Sequence, residues 1–185
     1  PIIDQATFVT LARPVHAAGL QMFMHANGDA AIDMAINGLD ALGLRAGDNR
    51  RPVVIHSQFQ RRDQLARYAA LGVSPSYFTN HTFFWGDVHV GNVGPDMAAG
   101  ISPLRSAQAA GLIVSNHSDY GVTPLDTRFM LWSAMARTSR SGVVIGPDER
   151  VDAYAALQAL TTGPAFQMFE EGRKGRIAEG LLADF

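Results

Sequence analysis

The chain has 185 residues, of which 47% are hydrophobic and 17% charged, with a formal net charge of −2 and a pI of about 6.3. This composition predicts one globular domain with a sizeable core, and it argues against nucleic acid or an anionic membrane as a partner. The sequence has no cysteine, so a metal site would have to use histidine or carboxylate ligands. No apolar run approaches the ~18 residues of a membrane-spanning helix and no signal peptide is visible, so we expect a cytoplasmic protein.

Hydrophobic periodicity predicts an alternation of helices and strands. In chain order, it predicts a helix over 4–18, a strand over 20–25, a helix over 30–42, a strand over 52–56, a helix over 62–71, a strand over 73–77, a long loop over 78–102, a short helix over 103–110, a strand over 112–115, and helices over 127–138 and 152–169. Pro14 should weaken or kink the first helix, and Asp29 should cap the second. Strand–helix units of about 30 residues in this order favour a parallel α/β sheet.

Histidine or carboxylate residues follow every predicted strand. His25 ends the first strand and His56 the second, and the later ones are His81 with Trp85 and Asp87 after the third strand, and His117 with Asp119 after the fourth. The carboxyl ends of parallel strands lie at one edge of a sheet, where ligands bind in such folds. These side chains are therefore predicted to meet.

A metal site is the chemistry that this set of residues favours. Neutral imidazole and carboxylate are the ligands of divalent cations when thiolates are absent. A cation there would lower the pKa of a bound water, and a nearby carboxylate could take its proton.

Each residue also has a purely structural interpretation. A single histidine at a strand end is more often a hydrogen-bonded structural residue, and Asp119 could belong to a turn. The aromatic run Phe83, Phe84 and Trp85 could be packed rather than line a substrate pocket. His16 and His89 are interpreted as helix-surface and loop residues and are left out of the site.

The motifs together resemble a known family. The segments HANGDAAI, VIHSQ, HTFFWGD, SNHSD followed by GVTPLD, ALTTGPA and GRIAEGLLADF resemble, in order and along the whole chain, the amidohydrolase superfamily and more narrowly its amidohydrolase 3 group of metal-dependent hydrolases. This resemblance implies a (β/α)8 TIM barrel with one or two divalent metals, usually zinc. It implies that His25 and His56 are metal ligands after the fifth and sixth strands and that Asp119, after the eighth, is both ligand and catalytic base. It also implies that His81, Trp85, Asp87 and His117 line the substrate pocket.

Two features of that family have no counterpart in the sequence. The family has a His-x-His pair after its first strand and usually a lysine or carboxylate ligand after its fourth, whereas the only lysine here is Lys174. We therefore expect residues 1–175 to form the second half of the barrel and residues 176–185 to begin the return strand into a small β-domain.

The predicted function is hydrolysis of an amide-like C–N bond of a small molecule by a parent protein, with this chain inactive alone. A non-catalytic metal-binding or small-molecule-binding barrel is the alternative, and a scaffold fragment a third possibility. Open sheet edges, with inner faces near Met22, Met24, Val54 and Val114, predict a homo-oligomer.

Overall fold

Four parallel strands form the centre of the molecule. The computed structural model describes residues 2–184, and its strands are β1 (Phe23–Ala26), β2 (Val53–His56), β3 (Ser74–Tyr77) and β4 (Ser115–Asn116). They pair in the order β1-β2-β3-β4, as they occur along the chain. Every carboxyl end therefore lies at one edge of the sheet, as the sequence predicts.

Helices connect these strands and follow the last one. They are α1 (Gln5–Ala17), α2 (Asp29–Ala41), α3 (Arg62–Leu71), α4 (His81–Val93), α5 (Pro95–Ala99), α6 (Leu104–Ala109), α7 (Thr127–Ala136), α8 (Ala153–Leu160) and α9 (Thr162–Gln167), with short 3-10 helices at Ala46–Asp48 and Pro147–Glu149. None of the helices that the structure describes is long and apolar enough to cross a membrane.

The main core lies between one face of the sheet and the helices. Ile32, Ile36 and Leu39 of α2 are fully buried there, together with Val54 of β2 and Tyr68 of α3. Burial of each large aliphatic side chain stabilises the fold by roughly 1.5–3 kcal/mol. The helices thus cover the outer face of the sheet, and the side chains on its inner face make different contacts, described below.

The assignment of Met22, Met24, Val54 and Val114 to an open inner face was wrong. All four pack in the helix-side core, where Met22 is 8%, Val54 0% and Val114 3% exposed. Exposed apolar residues lie one position away from two of these sites, at Phe23 (47%) and at Ile113 (43%). Parallel strands are apolar on both faces, so periodicity did not separate the two faces. The homo-oligomer stays a prediction.

The predicted loop over 78–102 was also wrong, because most of it is helical. It contains α4 and α5, which meet at Gly94. Glycines favoured a loop interpretation, yet Gly86 lies inside α4, where a Cβ atom would approach Ile145 within 3.0 Å and Ser139 within 3.3 Å. This glycine serves close packing rather than a turn.

Two smaller predictions need correction. Asp29 is the first residue of α2 rather than its cap, since Gly28 occupies the cap position without a side-chain hydrogen bond. The single closing helix is two helices, α8 and α9, separated at Thr161 (φ −126°, ψ −78°). Residues 176–184 form turns and irregular chain. The division at 175/176 stays a prediction, and its outermost residues, Pro1 and Phe185, lie outside the described residues.

Substitution Gly163→Ala is expected to destabilise the protein by more than about 1 kcal/mol. A Cβ atom at Gly163 would lie 1.9 Å from the carbonyl oxygen of Val114, so α9 would have to move away from the sheet. Gly91→Ala in α4 is the control, because a Cβ atom at Gly91 would meet no other atom within 4 Å. Urea denaturation measures both; equal midpoints for the two variants would contradict this contact.

Candidate metal centre and pocket

His56 is the centre of a group of side chains at the carboxyl edge of the sheet. Its ring lies 4.7 Å from that of His25 and 4.9 Å from that of His117, measured between centroids. His117 Nε2 is 3.2 Å from His56 Nδ1, and Asp119 Oδ2 is 3.9 Å from His56 Nε2. The structure thus brings together four of the residues that the sequence singled out, while their roles remain predictions.

The backbone turns His56 towards this group. Alternation along β2 would place His56 on the same face as Val54, which is in the helix-side core. Instead, His56 and Ser57 have φ angles of 73° and 44°, in the left-handed region that is uncommon for residues other than glycine. Asp119 also has a positive φ, of 49°. Such conformations concentrate at functional sites, where surrounding contacts maintain them.

Two histidines of this group, His56 and His117, favour the neutral form. Burial lowers the pKa of His56, and nearby His25 lowers it further, whereas Asp119 opposes the shift. Burial and His56 lower the pKa of His117 to about 3. Neutral imidazole retains the lone pair that a metal ion requires.

A second group of rings lies along one face of α4. His81, Trp85 and His89 are spaced four residues apart and therefore share a face of the helix. His81 Nδ1 is 3.1 Å from His89 Nε2, and the His81 and Trp85 ring centroids are 4.6 Å apart. Phe78 joins this face to the first group, with its centroid 4.7 Å from His81 and 5.2 Å from His117.

Sequence reasoning missed His89 because the glycines around it favour a loop. Once α4 is recognised, the four-residue spacing from Trp85 places His89 on the same face. Phe83 and Phe84 pack instead against Phe129 of α7 at centroid distances of 5.1 and 5.7 Å. Of the three consecutive aromatic residues, Trp85 is the one in contact with His81.

Asp87 does not join either group. It is exposed on α4, where its carboxylate accepts hydrogen bonds from the Ser139 and Ser141 hydroxyls, each at 2.6 Å. These bonds, that of Ser139 first, lower the pKa of Asp87. Its predicted place in the substrate pocket is therefore not supported by its contacts.

The side chains around His56 are of the types that coordinate a divalent cation, but they form only part of a coordination shell. Imidazole nitrogens and a carboxylate are what zinc-type cations take. Across residues 2–184, however, no three histidine, aspartate or glutamate side chains are already arranged around one point. A cation held here would need adjustment of these side chains and further ligands.

Acidification is expected to lower the free energy of unfolding. Burial, as the largest cause, lowers the pKa of His81 from its ordinary value of 6.5 to about 4 and that of His117 to about 3. Between pH 6.5 and those values the unfolded chain binds more protons than the folded one. The free energy of unfolding therefore decreases as the pH is lowered, by up to roughly 1.4 kcal/mol per pH unit and per histidine.

Urea denaturation at about pH 7 and about pH 5 measures this effect. The variant His81→Gln should show a shallower dependence on pH, because one of the two histidines is gone. Equal stability of the unsubstituted protein at both pH values would show that these rings are not held neutral by burial.

Comparison with known proteins gives a consistent set of matches. The model of a family described as the amidohydrolase family matches residues 1–185. The amidohydrolase YtcJ of Bacillus subtilis is 27% identical over 98% of this chain and 35% of its own length. The N-substituted formamide deformylase of Arthrobacter pascens is 28% identical over 90% of this chain and 31% of its own length. The chain thus spans about a third of these relatives.

Solved structures agree in fold. An uncharacterised metal-dependent hydrolase from Pyrococcus furiosus superposes with a TM-score of 0.82 at 23% identity, over 98% of this chain and 36% of that one. An adenosine deaminase from Xanthomonas campestris with bound zinc superposes with a TM-score of 0.68 at 18% identity, over 98% and 40% of the two chains. The parallel sheet and its helices therefore correspond to part of a TIM barrel, which confirms the predicted fold class.

Proposed function

The chain belongs to the amidohydrolase family, and from that premise we propose that the complete protein hydrolyses an amide-like carbon–nitrogen bond of a small molecule with the help of a divalent cation, zinc in the first instance. The observation that carries the proposal is the group of His25, His56 and Asp119 at the carboxyl edge of the sheet, where His56 contacts both of the others. A cytoplasmic location belongs to the same proposal, and cell fractionation tests it.

In this proposal His25, His56 and Asp119 hold the cation. The chemistry that a divalent cation supplies when bound is a water of lowered pKa and a polarised carbonyl group. His25 is exposed, whereas His56 is only 5% exposed. His56 is thus the anchored ligand, and His25 is the more accessible of the two.

Asp119 is the proposed proton carrier. Its side chain is 42% exposed and lies beside His56 Nε2, so it is accessible both to water and to a substrate. A carboxylate in this position accepts a proton from the attacking water and returns it to the leaving nitrogen. Both transfers use the same residue, which matches the single carboxylate of the group.

The pocket wall fits a substrate with an apolar or aromatic substituent. His81 and Trp85 are half-buried and pack on each other, and the fully buried Phe78 behind them connects them to His56 and His117. Burial keeps His81 neutral at pH 7, because its pKa is lowered to about 4. The name of the Arthrobacter pascens relative, a deformylase of N-substituted formamides, is compatible with a C–N bond that carries such a substituent.

A binding protein without catalysis is the second candidate. It is favoured by one observation: among the described residues, no three potential ligands already surround a common point. For the same reason we propose that the 185-residue chain alone holds metal weakly and is inactive, since incomplete coordination lowers metal affinity.

Metal removal from the complete protein separates these candidates. We expect the purified protein to contain about one or two divalent ions per chain, to lose hydrolysis of N-formyl and N-acyl amines after chelation, and to regain it when zinc is restored. Full turnover by metal-free protein would overturn the proposal. Stoichiometric metal without turnover of any amide in a broad panel would favour the binding protein.

A further inference from the structure

A line of buried polar side chains crosses the inner face of the sheet and ends at His56. It starts at Gln167 in α9, which contacts the amino ends of the strands. Gln167 Oε1 is 2.7 Å from Ser115 Oγ, which is 2.8 Å from Ser76 Oγ, and Ser76 Oγ is 3.0 Å from His117 Nδ1. The last link is the 3.2 Å contact between His117 Nε2 and His56 Nδ1.

Burial shields most of this line from water. Gln167 and Ser115 are each 4% exposed, Ser76 is 9% exposed and His56 is 5% exposed. In such surroundings each polar hydrogen is directed by its protein partner rather than by solvent.

The orientation of the Gln167 amide is fixed by its other end. Gln167 Nε2 is 2.8 Å from Ser74 Oγ and 3.1 Å from the carbonyl oxygen of Pro75. A carbonyl oxygen only accepts hydrogen bonds, and the Ser74 hydroxyl donates its own hydrogen to the carbonyl of Ile113. The amide nitrogen must therefore face these two residues, and Oε1 must face Ser115.

Hydrogen-bond direction then follows link by link. Ser115 Oγ lies in donor geometry towards both Gln167 Oε1 and Ser76 Oγ but carries one hydrogen. Because Oε1 can only accept, that hydrogen points to Gln167. Ser115 Oγ is left to accept the hydrogen of Ser76. Ser76 Oγ in turn accepts from His117 Nδ1, which places the proton of that imidazole on Nδ1.

The same reasoning fixes the tautomer of His56. A buried neutral imidazole with its proton on Nδ1 presents a lone pair at Nε2. His117 Nε2 therefore accepts, and His56 Nδ1 must donate. His56 Nε2 then carries no hydrogen and faces Asp119 Oδ2 at 3.9 Å. Both groups then offer lone pairs, and they would be available to hold a cation.

We propose that Gln167, Ser115, Ser76 and His117 are positioning residues that hold His56 with its proton on Nδ1, so that Nε2 is ready to bind the cation of the proposed function. Groups behind a ligating histidine commonly fix its tautomer and ring orientation. Here they extend across the whole sheet, to a helix at its opposite edge.

The tautomer can be read directly by NMR. In complete, metal-free protein labelled with 15N-histidine, two-bond proton–nitrogen correlations at neutral pH should show His56 protonated on Nδ1. In Ser115→Ala the Ser76 hydroxyl loses its acceptor and can donate to His117 Nδ1 instead. The direction of the line then reverses, and the proton of His56 should move to Nε2.

Ser133→Ala is the matched control, because Ser133 is a buried, hydrogen-bonded serine of α7 outside the line. It should leave the tautomer of His56 unchanged. Ser76→Ala is the second variant, should Ser115→Ala fold poorly, and it should also release His56 from the Nδ1 form. A purely structural role for these serines would not move the tautomer.

Zinc affinity gives an independent measurement. Competition with a chelating indicator should show about 10–100-fold weaker binding by Ser115→Ala than by the unsubstituted protein. A His56 proton on Nε2 in the unsubstituted protein, or an unchanged tautomer in both serine variants, would overturn the inference. The Nδ1 tautomer in protein that binds no metal would instead refute the proposed function and leave the positioning intact.

Discussion

Replacing Asp119 with asparagine is expected to reduce turnover by the complete protein about 10²–10⁴-fold, the usual contribution of a general acid–base group. Asparagine keeps the shape of the side chain but cannot take up a proton from water. It should not harm folding, because Asp119 has a φ of 49° and asparagine adopts this left-handed conformation as readily as aspartate. Steady-state kinetics on a confirmed amide substrate, with denaturation curves alongside, measure both effects.

Asp126→Asn is the matched control for that variant. Asp126 caps α7 by accepting hydrogen bonds from the backbone N–H groups of Arg128 and Phe129, a role that asparagine fulfils equally well. Its substitution also removes one negative charge from the same segment and should leave turnover unchanged. If Asp119→Asn hydrolyses substrate at the unsubstituted rate, Asp119 has no part in proton transfer.

Replacing Arg137 with methionine is expected to destabilise the protein by roughly 3–5 kcal/mol, because it leaves several buried carbonyl groups without donors. Arg137 is fully buried, and its guanidinium donates to the carbonyls of Ile145 and Ile101 at 2.7 Å and of Ser102 and Ala99 at 3.3 Å. Three of these bonds connect the end of α7 to residues 99–102, at the end of α5 and just after it, and the fourth connects it to Ile145. Burial lowers the pKa of Arg137 to about 10, which leaves it charged at neutral pH.

Arg150→Met tests whether the loss is specific to the buried guanidinium. Arg150 is exposed and donates to one carbonyl, that of Ala136, at 3.0 Å, so its substitution should change the free energy of unfolding by less than about 1 kcal/mol. Urea denaturation at neutral pH compares the two. Equal free energies of unfolding for the two variants would mean that water can hydrogen-bond to the carbonyl groups that Arg137 otherwise contacts.

The sequence was most informative where a single local rule decides the structure. The β-branched run at 53–55 predicts β2, and its bounds and those of α3 agree with the structure within a residue. The position of histidines at the ends of apolar runs was enough to predict that they meet, since parallel strands share a carboxyl edge.

Tertiary contacts decided the features that the sequence did not reveal. Gly86 marks close packing against Ile145, which sequence patterns do not distinguish from a turn. The inward turn of His56 depends on a positive φ that neither its type nor its neighbours predict. The line from Gln167 to His56 joins residues that lie far apart in the chain, and local sequence patterns do not predict such contacts.

The contacts of α9 also bear on the order in which the protein acquires its structure. Gln21 donates to the carbonyl of Gln167, 146 positions later, and Arg51 donates to that of Phe166, 115 positions later. β1 to β4 can pair one after another as they leave the ribosome, whereas these two hydrogen bonds can form only after α9 has been synthesised. Closure of such distant contacts is slow. A nascent chain would therefore form these four strands before α9 adds its hydrogen bonds to Gln21 and Arg51.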